Sequence, residues 1–283
     1  RGRPVADRYA VSTTPSVGLW MAVRRSPEPP GPSVFALADP ELDASSMATI
    51  GEPADSGARI IAVEELARVD GSQAATIAAG NSLGIGPIYY YGTEEQKRRW
   101  LPDLAGGRAL AAFGLTEPDA GSDAANIKCL AILEGDHWIL NGTKQFITNG
   151  DCASVFTTIA VTDEQKRARG GFTAFIIERD TPGFTVGKPD QKMGMRGSLT
   201  NELIFRNCRV PKENVIGGMP MVGQGFKTAM RVLDKGRLTI GAAALGASQK
   251  LLEICIQRVK KKMKTGVAAD QMQSKRFTLA DIA

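Results

Sequence analysis

Two runs hold residue types that chemistry needs: Leu115-Thr116-Glu117-Pro118-Asp119-Ala120-Gly121-Ser122-Asp123 and Gln145-Phe146-Ile147-Thr148-Asn149-Gly150. The first supplies the hydroxyls of Thr116 and Ser122. Pro118 disfavours helix at Glu117 and Gly121 permits a positive φ, so this run reads as a loop whose outward N–H groups hold anionic oxygens. The second run adds one aromatic ring, Phe146, close to the hydroxyl of Thr148. A flat, redox-active ring system with a phosphate tail needs that set: a stacking face, donors at its polar edge, and small residues beside a pyrophosphate. The same residue types also build an ordinary surface turn, and a strand phenylalanine commonly packs in a core. Composition alone leaves both readings open.

Other chemistries find little material. His137, directly before Trp138, is the only histidine in 283 residues, too few for a Ser-His-Asp hydrolase or a multi-histidine zinc site. Cys129, Cys152, Cys208 and Cys255 show neither metal-ligand spacing nor a disulfide framework, so no metal is expected and a reducing compartment is. Basic residues number 35 against 30 acidic ones and are spread along the chain, which argues against nucleic acid and suits an anionic substrate. No stretch approaches the roughly 18 apolar residues of a membrane span. Arg1, Arg3, Arg8, Arg24 and Arg25 lie among Ser, Pro and Thr, but Pro27, Pro29, Pro30 and Pro32 rule out one amphipathic helix there. A divergent tail or a fragment is expected rather than a targeting segment.

The elements that must position the two runs fall into three zones. Residues 60–104 read as helix, with Thr93-Glu94-Glu95-Gln96 a capping box opening a helix through Trp100 that Pro102 closes. From 109 to 211 the signals become short β-branched and aromatic runs between turns. Asn141-Gly142 and Asn149-Gly150 are the strongest hairpin signals, and strands are expected over 153–161, 171–178, 184–187 and 201–205. Period two places Phe146 and Thr148 on one face and Ile147 on the other. From Gly223 helix returns, with Phe226, Met230 and Leu233 on one stripe, small residues over 241–247 for close packing, and basic residues over 258–264 before Gly266. The boundaries are 1–51 for a divergent tail, 52–108 for a helical domain, 109–215 for a β domain and 216–283 for the start of a second helical domain.

Thr116-Glu117-Pro118, Ala120-Gly121-Ser122-Asp123, the later Phe146-Ile147-Thr148-Asn149-Gly150 and Met193-Gly194-Met195-Arg196-Gly197-Ser198 form a series. With Arg209-Val210-Pro211 and Glu213-Asn214-Val215, it resembles the acyl-CoA dehydrogenase family in order and spacing. Tyr91-Gly92-Thr93-Glu94-Glu95-Gln96-Lys97 upstream and Gly223-Gln224-Gly225-Phe226 downstream extend the likeness. It is dense over 64–246, fainter to 283 and slight before 52.

The resemblance implies an α+β fold: an N-terminal helical domain, a middle antiparallel β-sandwich or barrel, and an incomplete C-terminal helical bundle. It implies FAD as cofactor. Phe113, Leu115, Thr116, Gly121 and Ser122 would lie along the flavin, with Leu115 and Thr116 at the pyrimidine edge and Ser122 near the pyrophosphate. Phe146, Ile147 and Thr148 would cover its other side. Ser122, Asp234 and Arg237 would meet the acyl-CoA substrate. The implied reaction is α,β-dehydrogenation of an acyl-CoA thioester, as in fatty-acid β-oxidation: a carboxylate takes the α-proton while the β-hydrogen leaves as hydride. Electrons would pass to an electron-transfer flavoprotein.

Some members keep the Glu base where this sequence has Gly236, and others keep it beyond the position that Ala283 matches. Glycine cannot abstract a proton, so the expectation is a truncated member whose base lies past Ala283. Lys264-Thr265-Gly266-Val267 stands where the family shows an Arg and Phe-Gly that reach a neighbouring subunit's flavin, and 51–59 replaces a glycine-rich turn with Tyr. A homotetramer is implied, in the cytoplasm of a bacterium or the mitochondrial matrix of a eukaryote. A flavin oxidase passing electrons to oxygen and a non-catalytic assembly module are the alternatives.

Overall fold

The structure, a computed structural model, describes residues 56–266, 268 and 270–283, and for 56–59 the helix alone. The expectations for the 1–51 tail and for 51–55 fall outside those residues. Helix α1 (Ser56–Ala67) leads to α2 (Gly71–Ala78), whose N-cap Asp70 accepts from the Ser72 and Gln73 amides. A π-helical segment, Ala79–Ile85, then passes into α3 (Gly86–Tyr91). The predicted capping box opens α4 (Glu94–Ala105): Thr93 Oγ1 accepts from the Gln96 amide at 3.2 Å, and Gln96 Oε1 accepts from the Thr93 amide at 3.0 Å.

Pro102 does not close this helix, which continues to Ala105. The proline forgoes one backbone bond, while Leu101 and Leu104 on either side bury themselves in the core and the Pro102 carbonyl still accepts from the Gly106 amide.

One seven-stranded sheet follows: β1 (Ala111–Gly114), β2 (Leu130–Glu134), β3 (His137–Thr148), β4 (Val155–Val161), β5 (Phe172–Glu178), β6 (Phe184–Val186) and β7 (Thr200–Pro211). The strand order is β1-β4-β2-β3-β7-β6, with β5 on β4. Pairing is antiparallel apart from β1 with β4 and a single pair between β2 and β4. Asn149-Gly150 lies in a turn after β3, but β3 pairs with β2 and β7 rather than with β4, so no hairpin forms there, and Asn141-Gly142 makes none either. The turn lies at Gly135-Asp136, where Glu134 faces His137, and β3 runs straight through Gly142 with a bulge. The glycine serves close approach instead: φ is +149° and a Cβ there would lie 2.7 Å from the Cys129 Cα.

Strands β4 and β5 are covered on both faces. Phe156, Ala160, Phe175 and Ile177 point into a core shared with Trp138, Phe184 and Phe205. Ile159, Val161, Phe172 and Ile176 point the other way, against Trp100, Leu101 and Leu104 of α4. Helix α5 (Gly225–Lys264) closes that second layer, its predicted stripe Phe226, Met230 and Leu233 packed on the same core, and α6 (Gln273–Ile282) follows. The small-residue run belongs to this one 40-residue helix. At Gly246 α1 crosses so closely that a Cβ would sit 2.0 Å from the Glu64 carbonyl oxygen, whereas Gly241 has nothing within 4 Å.

Gly246→Leu is therefore expected to lower the melting temperature sharply, by about 1–3 kcal/mol or more of overpacking strain. Gly241→Ala should raise it by about 0.5–1 kcal/mol of helix propensity. Thermal melts followed by circular dichroism check both.

Candidate functional site

A buried ion pair fastens the Thr116–Ser122 loop to the sheet. Lys144 of β3 has no exposed surface; its Nζ donates to Glu117 Oε1 at 2.6 Å and to the Leu115 carbonyl at 3.2 Å. The Glu117 carboxylate also accepts from the Cys129 amide at 2.9 Å and the Lys128 amide at 2.6 Å. Gly114 leaves room for the lysine stem, since a Cβ there would lie 3.4 Å from Lys144 Cγ and 3.2 Å from Thr158 Oγ1. Glu117 and Ala120 exchange backbone hydrogen bonds at 3.1 Å each, closing a tight turn with Pro118 and Asp119 exposed. A plain surface turn has no buried acidic anchor of this kind.

The loop and the second run touch directly: the Gln145 amide donates to the Thr116 carbonyl at 2.8 Å. Beside that bond the backbone of Phe146 turns left-handed, φ +59°, at a second bulge in β3. Strict alternation breaks there, and the ring is 62% exposed rather than packed in the core. Ile147 stays buried and Thr148 half-buried. Asn149, left-handed at φ +68°, buries its amide and donates from Nδ2 to the Thr76 carbonyl at 3.0 Å, tying α2 to the end of β3.

Among the described residues the amides of Leu115, Thr116, Gly121 and Ser122 donate to no backbone carbonyl. Gly121 and Ser122 are exposed, with nothing within 4 Å of a Cβ at Gly121. Phe113 is half-buried against the core that holds Leu115, and Leu233 of α5 packs on that same core. Asp234 and Arg237 are exposed and pair with each other, with no hydrogen bond or ion pair to the loop or to β3 among the described residues. Gly236 faces inward, where a Cβ would lie 3.1 Å from Leu83 Cδ2 and 3.6 Å from Ser82 Oγ. No three His, Cys, Asp or Glu side chains gather around a possible metal position among the described residues.

Sequence reasoning passed over Lys144 and Glu117. The signal was there: Trp138, Leu140, Gly142 and Lys144 are spaced by two, so the lysine falls on an inward position and demands a carboxylate.

A helical layer, a curled mixed sheet and a long C-terminal helix, with a loop and a strand end meeting at an exposed aromatic ring, define a helix–sheet–helix scaffold with one candidate site. Profiles of the acyl-CoA dehydrogenase N-terminal, middle and C-terminal domains match residues 48–108, 112–208 and 223–283. The chain belongs to the acyl-CoA dehydrogenase family. An acyl-CoA dehydrogenase of Bacillus subtilis is 43% identical over 235 residues, 82% of this chain and 60% of its own length. Among solved structures, a chain in the study of the electron transferring flavoprotein of Acidaminococcus fermentans is 45% identical with a TM-score of 0.74, covering 78% of this chain and 57% of that one. The acyl-CoA dehydrogenase of Bacillus anthracis complexed with FAD is 39% identical with a TM-score of 0.65, covering 70% and 34%. The chain thus spans about three fifths of the length of the curated relatives it matches. No helix of the described residues is long and apolar enough to cross a membrane.

Burial raises two of the thiols. It pushes Cys129 up from 9.0 to about 11 and Cys208 to about 12, while Cys255 is exposed. A titration with a thiol-reactive disulfide should modify Cys255 in the folded protein and reach Cys129 and Cys208 only after denaturant is added. The folded state holds the Cys129 and Cys208 protons more tightly than the unfolded chain, so their contribution to stability is complete below pH 9.0 and is lost as pH rises to about 11 and beyond. Chemical melts across that window check the sign.

Proposed function

We propose that the enzyme of which this chain forms part dehydrogenates an acyl-CoA thioester at its α,β bond, with FAD held between the Thr116–Ser122 loop and the segment from Phe146 to Thr148. The observation that carries this reading is the 2.8 Å hydrogen bond from the Gln145 amide to the Thr116 carbonyl, which brings both runs to one place beside an exposed phenylalanine ring. The residues present suit the cofactor. The amides of Leu115 and Thr116, which donate to no backbone carbonyl among the described residues, serve its pyrimidine edge, the open ground at Gly121 and Ser122 serves its pyrophosphate, and Phe146 covers one ring face and keeps water from it.

Bound FAD supplies the acceptor for the β-hydrogen. On the protein's side, the half-buried Thr148 offers its hydroxyl to the flavin's reactive edge. Ser122, Asp234 and Arg237 bind the acyl-CoA, the guanidinium complementing its anionic charge. Gly236 has no side chain to take the α-proton, so the base is a carboxylate from another position. The relatives' names support the acyl-CoA substrate, and the Acidaminococcus fermentans study supports an electron-transfer flavoprotein as electron acceptor. A homotetramer, with domains at 52–108, 109–215 and 216–283, completes the reading.

Purified chain mixed with FAD should acquire a blue absorption band and quench flavin fluorescence; no uptake at any FAD concentration tested would defeat the assignment. Phe146→Ala should weaken FAD binding by about three- to tenfold, the worth of one aromatic stacking contact. In the enzyme assembled around this chain, turnover should reduce an electron-transfer flavoprotein without releasing hydrogen peroxide, which separates a dehydrogenase from an oxidase.

A further inference from the structure

A lysine with no exposed surface carries a heavy desolvation cost, and apolar side chains of similar volume would hold β3 to the loop as well. What the charged pair adds is direction. Lys144 Nζ draws the Leu115 carbonyl inward at 3.2 Å, and the next amide along β3, Gln145, draws the Thr116 carbonyl inward at 2.8 Å. The described residues contain no cis peptide, and in a planar trans unit the N–H points opposite to the C=O. The Thr116 N–H shares its peptide unit with the Leu115 carbonyl. It therefore points away from Lys144, and among the described residues it meets no backbone acceptor. The Glu117 N–H, one unit later, is already taken by the Ala120 carbonyl at 3.1 Å.

We propose that Lys144 and Glu117 are positioning residues that aim the Thr116 amide at the pyrimidine edge of the flavin. This rests on the cofactor site proposed above. Glu117 accepts from the same ammonium at 2.6 Å. It is itself fixed by the Lys128 and Cys129 amides at 2.6 and 2.9 Å, so the lysine cannot swing away and release the Leu115 carbonyl. Gly114 completes the device by clearing the path of the lysine stem.

Amide exchange in the wild-type chain reads this directly. The Thr116 N–H should exchange freely without FAD and at least about tenfold more slowly with it, the effect of one hydrogen bond gained, with the already bonded Ala120 N–H as reference. A Thr116 rate that follows the reference and shows no added protection when FAD is bound overturns the proposal.

The double variant Lys144→Met/Glu117→Gln removes the grip and leaves no buried unpaired charge. Gln96→Leu serves as its control, because Gln96 is buried and bonds to Glu213, Val215 and Gly217 instead. Compared at equal distance below their melting temperatures, the double variant should bind FAD about tenfold more weakly and show a displaced blue band, and Gln96→Leu should show neither change. Wild-type affinity and an unmoved band in the double variant also overturn the proposal, and if that variant does not fold the exchange measurement decides. A wild-type chain that takes up no FAD refutes the site itself instead.

Discussion

Everything at the site depends on an ammonium and a carboxylate placed where water does not reach. Such a pair survives only if its remaining hydrogen-bonding capacity is met, and here the partners are backbone groups: the Leu115 carbonyl for Lys144, and the Lys128 and Cys129 amides for Glu117. Three stretches distant in sequence are thereby fixed to one another: the loop after β1, the lead into β2 and the middle of β3. Removing one partner would leave the other charged and alone in the interior, a loss of about 3–5 kcal/mol.

Around that pair the fold is a stack with β4 and β5 at its centre. Residues of even and odd parity along β4 serve different cores, one shared with the curled remainder of the sheet and one with α4 and α5. Polar side chains then lock the layers. Asn149 reaches back to α2. Gln96 donates to the Glu213 and Val215 carbonyls at 2.7 and 2.6 Å and accepts from the Gly217 amide at 3.0 Å, joining α4 to the segment that leads into α5.

Much of this was readable from the residues. The capping box at Thr93, the strands rich in β-branched residues and the stripe Phe226, Met230 and Leu233 follow from local rules, and the structure keeps them. The misreadings share one cause: tertiary contact overrode local preference. Asn141-Gly142 carries a turn signature, yet the glycine is used because Cys129 presses against it. Pro102 should stop a helix, yet the leucines beside it are buried too deeply for the helix to end there. The π-helical turn at Ala79–Ile85 left no mark that period or composition could detect; it lies where Gly84 lets β1 come within 2.6 Å of a Cβ position.

Phe146 shows how such overrides shape a working surface. A bulky side chain held at φ +59° is disfavoured by about 1–2 kcal/mol relative to the right-handed regions, and glycine would relax it at once. Glycine would also leave nothing to lie against a ligand. Under the cofactor role proposed for it, robustness to heat and grip on a planar guest pull this position in opposite directions, and a homologue selected only for durability would be expected to lose the ring first.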